Sequence, residues 1–129
     1  MLKILVVDDN VEAAETTGML LELMGHEIAR AHDGAEAVAL ATTWHPALVL
    51  LDINLPILSG LEVAKRLRAN DATRQSYIVA LSGYTSAEDQ RASLDAGCDE
   101  HIAKPFDMEA IEKALAKAER ATASRITPE

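Results

Sequence analysis

The stretch Leu-Val-Leu-Leu-Asp-Ile-Asn-Leu-Pro, residues 48 to 56, decides the fold of this chain. Four apolar residues lead directly into Asp52, and a run this short and rich in branched side chains is typical of a strand covered on both faces. Pro56 cannot donate a hydrogen bond to a strand ladder, so the strand stops and a loop begins. Asp52 is therefore predicted at the carboxyl end of a buried parallel strand, the edge at which open α/β sheets bind ligands.

The length and composition of the chain predict a single globular domain. It has 129 residues, 49% of them hydrophobic, and no apolar run is long enough to span a bilayer. A net charge of −9 argues against direct nucleic-acid binding, which requires a basic surface. The amino terminus lacks a secretory signal pattern, and a single cysteine, Cys98, agrees with a reducing compartment. We expect a cytoplasmic protein without membrane insertion.

Strand and helix patterns alternate along the rest of the chain. Strands are predicted over residues 3–7, 27–31, 48–52, 77–81 and 101–103. Helices are predicted over residues 11–24, 35–43, 60–70 and 86–96, with a last helix carrying residues 108 to 118. Residues 1–122 are expected to form the domain and residues 123–129 a short tail, with fraying from about Thr122. This alternation predicts an α/β fold with a parallel sheet, right-handed crossovers and helices on both faces.

Polar side chains follow the predicted strands in a regular order. Asp8 and Asp9 follow the first strand, Asp52 ends the third, Ser82 follows the fourth, and Lys104 follows the fifth. If those strands are neighbours, their side chains meet in one crevice. Three carboxylates at close range cannot all ionise cheaply, so either one is protonated or a cation lies among them. Oxygen ligands of this kind suit a hard ion, and we predict Mg²⁺.

Three histidines carry no such pattern. His26, His32 and His45 have no spacing with each other or with acidic residues that indicates a zinc site. We interpret all three as surface or turn residues.

At the strand ends the chain resembles the receiver domain of two-component response regulators, over residues 2 to 120. The resemblance rests on Val-Val-Asp-Asp-Asn at 6–10, Leu-Leu-Asp-Ile-Asn-Leu-Pro at 50–56 followed by Ser59 and Gly60, Ala-Leu-Ser-Gly at 80–83 and Lys-Pro-Phe at 104–106. It implies a doubly wound, flavodoxin-like fold with five helices and a five-stranded sheet of order 2-1-3-4-5. A stand-alone receiver and a receiver module of a hybrid histidine kinase both agree with these motifs.

The resemblance implies a role for each acidic residue. Asp52 is the implied phosphoacceptor, which takes a phosphoryl group from a phosphohistidine. The implied ligands of Mg²⁺ are Asp9, Asp52 and the backbone carbonyl of Asn54, with Asp8 acting mainly through a bound water. The ion would neutralise charge on the transferring group, where most phosphoryl-transfer catalysis lies.

The resemblance also implies a two-state switch in the last two strands and the helix between them. Lys104 is implied to pair with one phosphoryl oxygen, and Ser82 to bond a second and to report phosphorylation by moving towards it. Three residues before the lysine, where the family carries a switch aromatic, this chain has His101. Because burial of a charged imidazole is costly, we hypothesise that switching depends on pH near neutrality; the alternative is a ring that simply replaces Tyr or Phe.

Two further positions are expected to modulate hydrolysis of the phosphoryl group. Asn54 and Tyr84 lie two residues beyond the implied acceptor and the implied hydroxyl, and in the family such positions flank the path of the hydrolytic water. Tyr84 is bulky enough to screen that path, which predicts a longer phosphoryl lifetime than in a Tyr84→Ala variant. The alternative is an exposed loop aromatic without this role.

Together these expectations describe a phosphoacceptor switch in a phosphorelay rather than an ordinary enzyme, with Mg²⁺-dependent self-phosphorylation and slow autodephosphorylation. The expected partners are a histidine kinase or histidine phosphotransfer protein and a downstream protein effector, and the expected state is a monomer or a weak phosphorylation-dependent dimer. One alternative is a pseudo-receiver, an interaction module not regulated by phosphorylation; the five site residues count against it. Another is a flavin- or nucleotide-binding protein, which the lack of an anion-binding loop after the first strand disfavours.

Overall fold

The computed structural model describes residues 1–83 and 86–126 of the chain, with side chains through residue 123. Within these residues, strands and helices alternate in the order β1 (Lys3–Val7), α1 (Val11–Leu23), β2 (Glu27–Ala31), α2 (Gly34–Trp44), β3 (Leu48–Asp52), α3 (Gly60–Ala69), β4 (Tyr77–Ser82), α4 (Ala87–Asp95), β5 (Glu100–Ala103) and α5 (Met108–Ile126). The strands form one parallel sheet of order β2-β1-β3-β4-β5, which confirms the predicted topology. None of the helices in the described part of the chain is long and apolar enough to cross a membrane.

Strand β3 lies at the centre of the sheet because both of its faces are apolar. Leu50 pairs with Val6 of β1 on one side and with Val79 of β4 on the other. Val49 faces the core formed with α2 and α3, whereas Leu50 faces the core formed with α1 and α5. All four leucine and valine residues of β3 are fully buried. The unbroken apolar run therefore packs against helices on both sides, as the sequence predicts.

Each helix begins at a polar side chain that accepts the backbone N–H three residues later, a contact that satisfies one of the free donors of the first turn. These side chains are Asn10, Asp33, Ser59, Ser86 and Asp107. Helix α5 extends to Ile126, past Thr122, from which the sequence predicts fraying. Ala118 is fully buried, and the following stretch of alanine, glutamate and arginine favours helix, which explains the extension.

The parallel arrangement places the carboxyl end of every strand at the same edge of the sheet. The loop after β3 is folded tightly against that edge, because the N–H of Gly60 donates to the carbonyl of Ile53. A Cβ atom at Gly60 would collide with the backbone carbonyl of Asp52. Only glycine allows this approach, and the loop therefore stays close to the backbone of Asp52.

Candidate functional site

Three carboxylates meet at the carboxyl edge of the sheet. One oxygen from each of Asp8, Asp9 and Asp52 lies within 4.8 Å of the others. They meet because β1 and β3 are neighbours, with Val7 opposite Leu51. The side chain of Asp52 is 7% exposed and that of Asp8 is 13% exposed, whereas Asp9 is open to solvent. The cluster thus offers oxygen ligands that are partly shielded and can be reached from one side.

Lys104 places a positive charge against two of these carboxylates. Its Nζ lies 3.3 Å from Oδ2 of Asp52 and 3.5 Å from Oδ2 of Asp8. Its backbone N–H donates to the carbonyl of Ser82, which fixes the lysine beside the end of β4. One lysine among three carboxylates leaves an excess of negative charge, and such a site favours a further cation.

The backbone orients both partly buried carboxylates. Oδ1 of Asp52 accepts the N–H of Asn54 at 2.9 Å, and Oδ1 of Asp8 accepts the N–H of Asn10 at the same distance. In each case the other oxygen faces Lys104. The N–H two residues further along thus holds each carboxylate in place, and the oxygen that faces Lys104 does not depend on a mobile side chain for its orientation.

Ser82 and His101 lie beside this cluster and line a cavity. Ser82 ends β4 and is 2% exposed, and His101 on β5 is half-buried. Both line a cavity of about 430 Å³ that Asn54 also borders. Nδ1 of His101 lies 2.9 Å from the hydroxyl of Ser93 on α4. The sequence analysis did not predict a role for Ser93, because nothing in the pattern of α4 indicates which of its residues contacts the imidazole.

His32 contacts the acidic cluster, a contact absent from the sequence analysis. It lies in the turn after β2, as predicted, but its Nδ1 is also 3.2 Å from the backbone carbonyl of Asp8. The signal that would have found this contact is the strand register, because Val7 pairs with Ala31 and the next residues of β1 and β2 are therefore adjacent.

Asn54 and Tyr84 were both predicted to modulate hydrolysis. Asn54 is exposed beside Asp52, and its N–H is the group that holds the carboxylate. Tyr84 lies outside the described residues. Coordination of an ion by the carbonyl of Asn54, and the hydrolytic roles of both residues, stay predictions.

Cys98 lies away from the acidic cluster, in the core between the sheet and α3. It is 5% exposed, and burial raises the pKa of its thiol to about 11. A thiol that stays neutral at physiological pH is a weak nucleophile, so Cys98 acts as a packing residue.

The fold and the acidic crevice define a doubly wound α/β domain with a candidate divalent-cation site at the carboxyl edge of its sheet. Residues 4–116 match the model of the response regulator receiver domain, and the chain therefore belongs to this family. A curated relative, the transcriptional regulatory protein PrrA of Mycobacterium leprae, is 39% identical over 125 residues, which are 95% of this chain and 53% of PrrA. The chain thus spans about half the length of the curated relatives it matches.

Solved structures agree with this assignment. The chemotaxis protein CheY4 of Vibrio cholerae is 30% identical with a TM-score of 0.86, and the match covers 92% of this chain and 98% of CheY4. The receiver domain of the sensor histidine kinase PA1611 of Pseudomonas aeruginosa is 28% identical with a TM-score of 0.83, over 90% of this chain and 95% of that domain. Its structure holds a magnesium ion coordinated in the active site cleft.

Membership in the family settles the class of function. Receiver domains are signalling domains of two-component systems rather than ordinary enzymes, they work with histidine kinases, and they bind Mg²⁺ in an acidic pocket. Transcriptional regulation is a property of relatives such as PrrA, which are about twice as long as this chain.

Proposed function

We propose that this domain is a phosphoacceptor switch in which Asp52 takes a phosphoryl group from a phosphohistidine. The observation that carries the proposal is the acidic cluster itself. Asp8, Asp9 and Asp52 converge within 4.8 Å, and Lys104 reaches Asp52 at 3.3 Å. An interaction module without phosphorylation would have no need to hold three carboxylates together against their repulsion.

The proposed reaction uses one carboxylate oxygen of Asp52 as the nucleophile. A P–O bond to Asp52 forms as the P–N bond of the phosphohistidine breaks, and the electron pair of that bond stays on the imidazole nitrogen. The imidazole then takes up a proton from water. Asn54 holds the other carboxylate oxygen through its N–H, so the attacking oxygen keeps a fixed direction.

The donor set fits Mg²⁺, because it consists of carboxylate oxygens, one of them exposed, with room for water ligands. Asp9 and Asp52 would hold the ion with the carbonyl of Asn54, and Asp8 would act mainly through a water. When bound, the ion supplies positive charge opposite the transferring phosphoryl group. The magnesium ion in the PA1611 receiver supports this part of the proposal.

The output of the switch is proposed to pass through Ser82 and Lys104. Lys104 would pair with one phosphoryl oxygen, and Ser82 would bond a second and carry the change towards α4 and β5. A histidine kinase or histidine phosphotransfer protein supplies the phosphoryl group, and a protein effector reads the switched surface. We place this exchange in the cytoplasm, with the domain a monomer or a weak dimer that depends on phosphorylation.

The experiment that tests the proposal is phosphorylation by phosphoramidate, whose P–N bond matches that of phosphohistidine. Purified protein is incubated with phosphoramidate and Mg²⁺, and its intact mass is measured. We expect one added phosphoryl group on the wild type and none on Asp52→Asn or on wild type treated with EDTA. Asp71→Asn serves as the matched control, since this carboxylate is 89% exposed and paired only with Arg74 among the described residues.

Labelling that persists in Asp52→Asn would place the phosphoryl group elsewhere and overturn the assignment. An unlabelled wild type, under conditions that label an established receiver domain, would favour an interaction module not regulated by phosphorylation.

The lifetime of the phosphoryl group is proposed to depend on Asn54 and Tyr84. Loss of the added mass over time after removal of phosphoramidate measures this lifetime. We expect Tyr84→Ala to lose the group faster than wild type, because a smaller side chain leaves the path of the attacking water open. Equal or slower loss in Tyr84→Ala would exclude this role.

A further inference from the structure

Helix α4 is held against the rest of the domain by unusually little apolar burial. Its only buried residue between Ala87 and Asp95 is Ser93, which is 1% exposed. Helix α3, by contrast, buries Val63, Ala64 and Leu67. An element with few buried apolar contacts has a low free energy of local opening, and the polar contact made by its buried residue then contributes to what fixes its position.

That polar contact joins α4 to β5. The hydroxyl of Ser93 lies 2.9 Å from Nδ1 of His101 and 3.2 Å from the backbone carbonyl of Asp89. A carbonyl can only accept, so the one hydroxyl proton goes to Asp89 and the hydroxyl oxygen accepts Nδ1–H of the imidazole. In this arrangement the imidazole carries a proton on Nδ1, and the hydrogen bond links its ring to α4.

The bond lies where a change at Asp52 can reach it. His101 pairs with Ala80 on β4, two residues before Ser82, and Ser82 pairs with Ala103. The cavity of about 430 Å³ that Ser82, Ser93 and His101 share also borders Asn54. The N–H of Asn54 holds the Asp52 carboxylate, so the ring borders open space that also reaches the residue beside the acceptor.

We propose that Ser93 is the positioning residue for His101. Its hydrogen bond stabilises the arrangement in which Asp52 is unphosphorylated and paired with Lys104. When Asp52 carries a phosphoryl group, the bond is lost and the ring moves into the cavity. This inference rests on the proposed function. An interaction made in only one of two arrangements shifts their populations by its own free energy, so loss of the bond favours the phosphorylated arrangement.

The test is a double-mutant cycle on the binding of beryllofluoride, a mimic of the phosphoryl group, in the presence of Mg²⁺. Affinity is measured by calorimetry for wild type, Ser93→Ala, His101→Phe and the double variant. A hydrogen bond of ordinary strength predicts that Ser93→Ala binds beryllofluoride roughly two- to tenfold more tightly than wild type. In the His101→Phe background, where the bond is already absent, Ser93→Ala is expected to change the affinity by less than roughly 1.5-fold.

A spectroscopic measurement separates the positioning role from a general loosening of the helix. Nitrogen-15 NMR of the imidazole is expected to show His101 protonated at Nδ1 in the wild type and a changed Nδ1 signal in Ser93→Ala. Ser86→Ala is the control, because Ser86 caps the start of α4 through Asp89 and has no described contact with His101. We expect this variant to lower stability without changing the Nδ1 signal of His101.

The outcomes distinguish the two proposals. An additive cycle, an unchanged affinity in Ser93→Ala, or equal tightening by Ser86→Ala would overturn the role of Ser93 and leave the phosphoacceptor assignment standing. A wild type that neither binds beryllofluoride nor takes a phosphoryl group from phosphoramidate would overturn both proposals.

Discussion

Carboxylates pair with a cationic side chain at both edges of the sheet, but the balance of charge differs between the two edges. At the carboxyl edge three carboxylates share Lys104, whose Nζ lies 3.3 and 3.5 Å from two of them. At the amino edge one carboxylate, Asp99, faces one guanidinium, Arg68, at 2.7 Å. The first edge holds more negative charge than it neutralises, and the second is closely balanced. Unmatched negative charge can attract a cationic ligand, whereas a matched ion pair stabilises the fold.

The contacts of Arg68 show how complete the amino edge is. Its guanidinium donates to the carbonyls of Gly97, Arg74 and Ser76 as well as to Asp99. The same Asp99 oxygen accepts the N–H of Ile78 at 2.8 Å. One side chain thereby joins the end of α3, the start of β4 and the turn before β5. Three of these partners are backbone carbonyls and the fourth is the Asp99 carboxylate, so the charge of Arg68 is matched within the cluster.

The largest expected effect is on this amino edge. Replacing Arg68 by alanine leaves three carbonyls and Asp99 without their donor, and we expect the free energy of unfolding to fall by about 3 kcal/mol. Urea denaturation measures this change. Arg66→Ala is the matched control, because Arg66 is 55% exposed and lies 3.8 Å from Glu62, and it should cost less than about 0.5 kcal/mol. Similar costs for both variants would remove the distinction between the edges.

Magnesium is expected to act on the carboxyl edge alone. At about one hundred times its dissociation constant, bound Mg²⁺ raises the free energy of unfolding by about 2.7 kcal/mol, since it binds only the folded chain. Thermal and urea denaturation with and without the ion measure this increment. The same increment is expected in Arg68→Ala, whereas Asp9→Asn should need more Mg²⁺ to reach it. No stabilisation of the wild type at any concentration would contradict the predicted magnesium site.

Replacing an aspartate by asparagine should change the free energy of unfolding in opposite directions at the two edges. Without Mg²⁺, Asp52→Asn removes a charge from a crowded cluster and should raise the free energy of unfolding by about 1 kcal/mol. Asp99→Asn removes the partner of Arg68 and should lower it by a similar amount, about 1 kcal/mol. Because added salt screens repulsion, the gain in Asp52→Asn should shrink at high ionic strength. If the free energy of unfolding changed in the same direction in both variants, the two edges would not differ in their response to loss of a charge.

The smallest expected effect is a pH dependence at the amino edge. Burial, followed by the charge of the amino terminus, lowers the pKa of His26 below its usual 6.5, against an opposing effect of Glu119. Nδ1 of His26 accepts the N–H of Leu2 at 3.0 Å, and protonation would remove this acceptor. The unfolded chain then binds the proton first, so the stabilisation is present above pH 6.5 and is lost as the pH falls below it.

Urea denaturation between pH 7.5 and 5.5 tests this pH dependence. His26→Gln should lose less stability over that range than the wild type, since glutamine does not titrate. Parallel pH curves for the two proteins would exclude a contribution from His26.

Much of the fold and part of the candidate site follow from local patterns. Asp52 after four apolar residues identifies a buried strand and its polar end without reference to any other segment. Each of the other strands ends in the same way, and parallel pairing brings those ends to one edge, which is why Asp8 and Lys104 were expected beside Asp52. The helix starts at Asn10 and Asp107 were also expected, because capping involves residues only three apart.

The remaining contacts join residues that no local pattern relates. Arg68 and Asp99 are 31 residues apart, and His32 reaches Asp8 across 24. Ser93 and His101 are closer in the chain, but whether they meet depends on the angle at which α4 crosses β5. Side-chain reach and crossing angle are set by packing of the whole core rather than by periodicity.

The sequence by itself determined the alternation of strands and helices and the acidic residues that follow the strands, while the resemblance to receiver domains implied the order of the sheet. The alternation and the strand ends depend on hydrophobic period, which is a property of neighbouring residues. Only the tertiary structure decided which cation each carboxylate meets, and that the buried residue of α4 between Ala87 and Asp95 is Ser93. Such pairings are chosen when separate segments pack against one another, because a buried donor or acceptor must find its partner in whatever segment lies beside it.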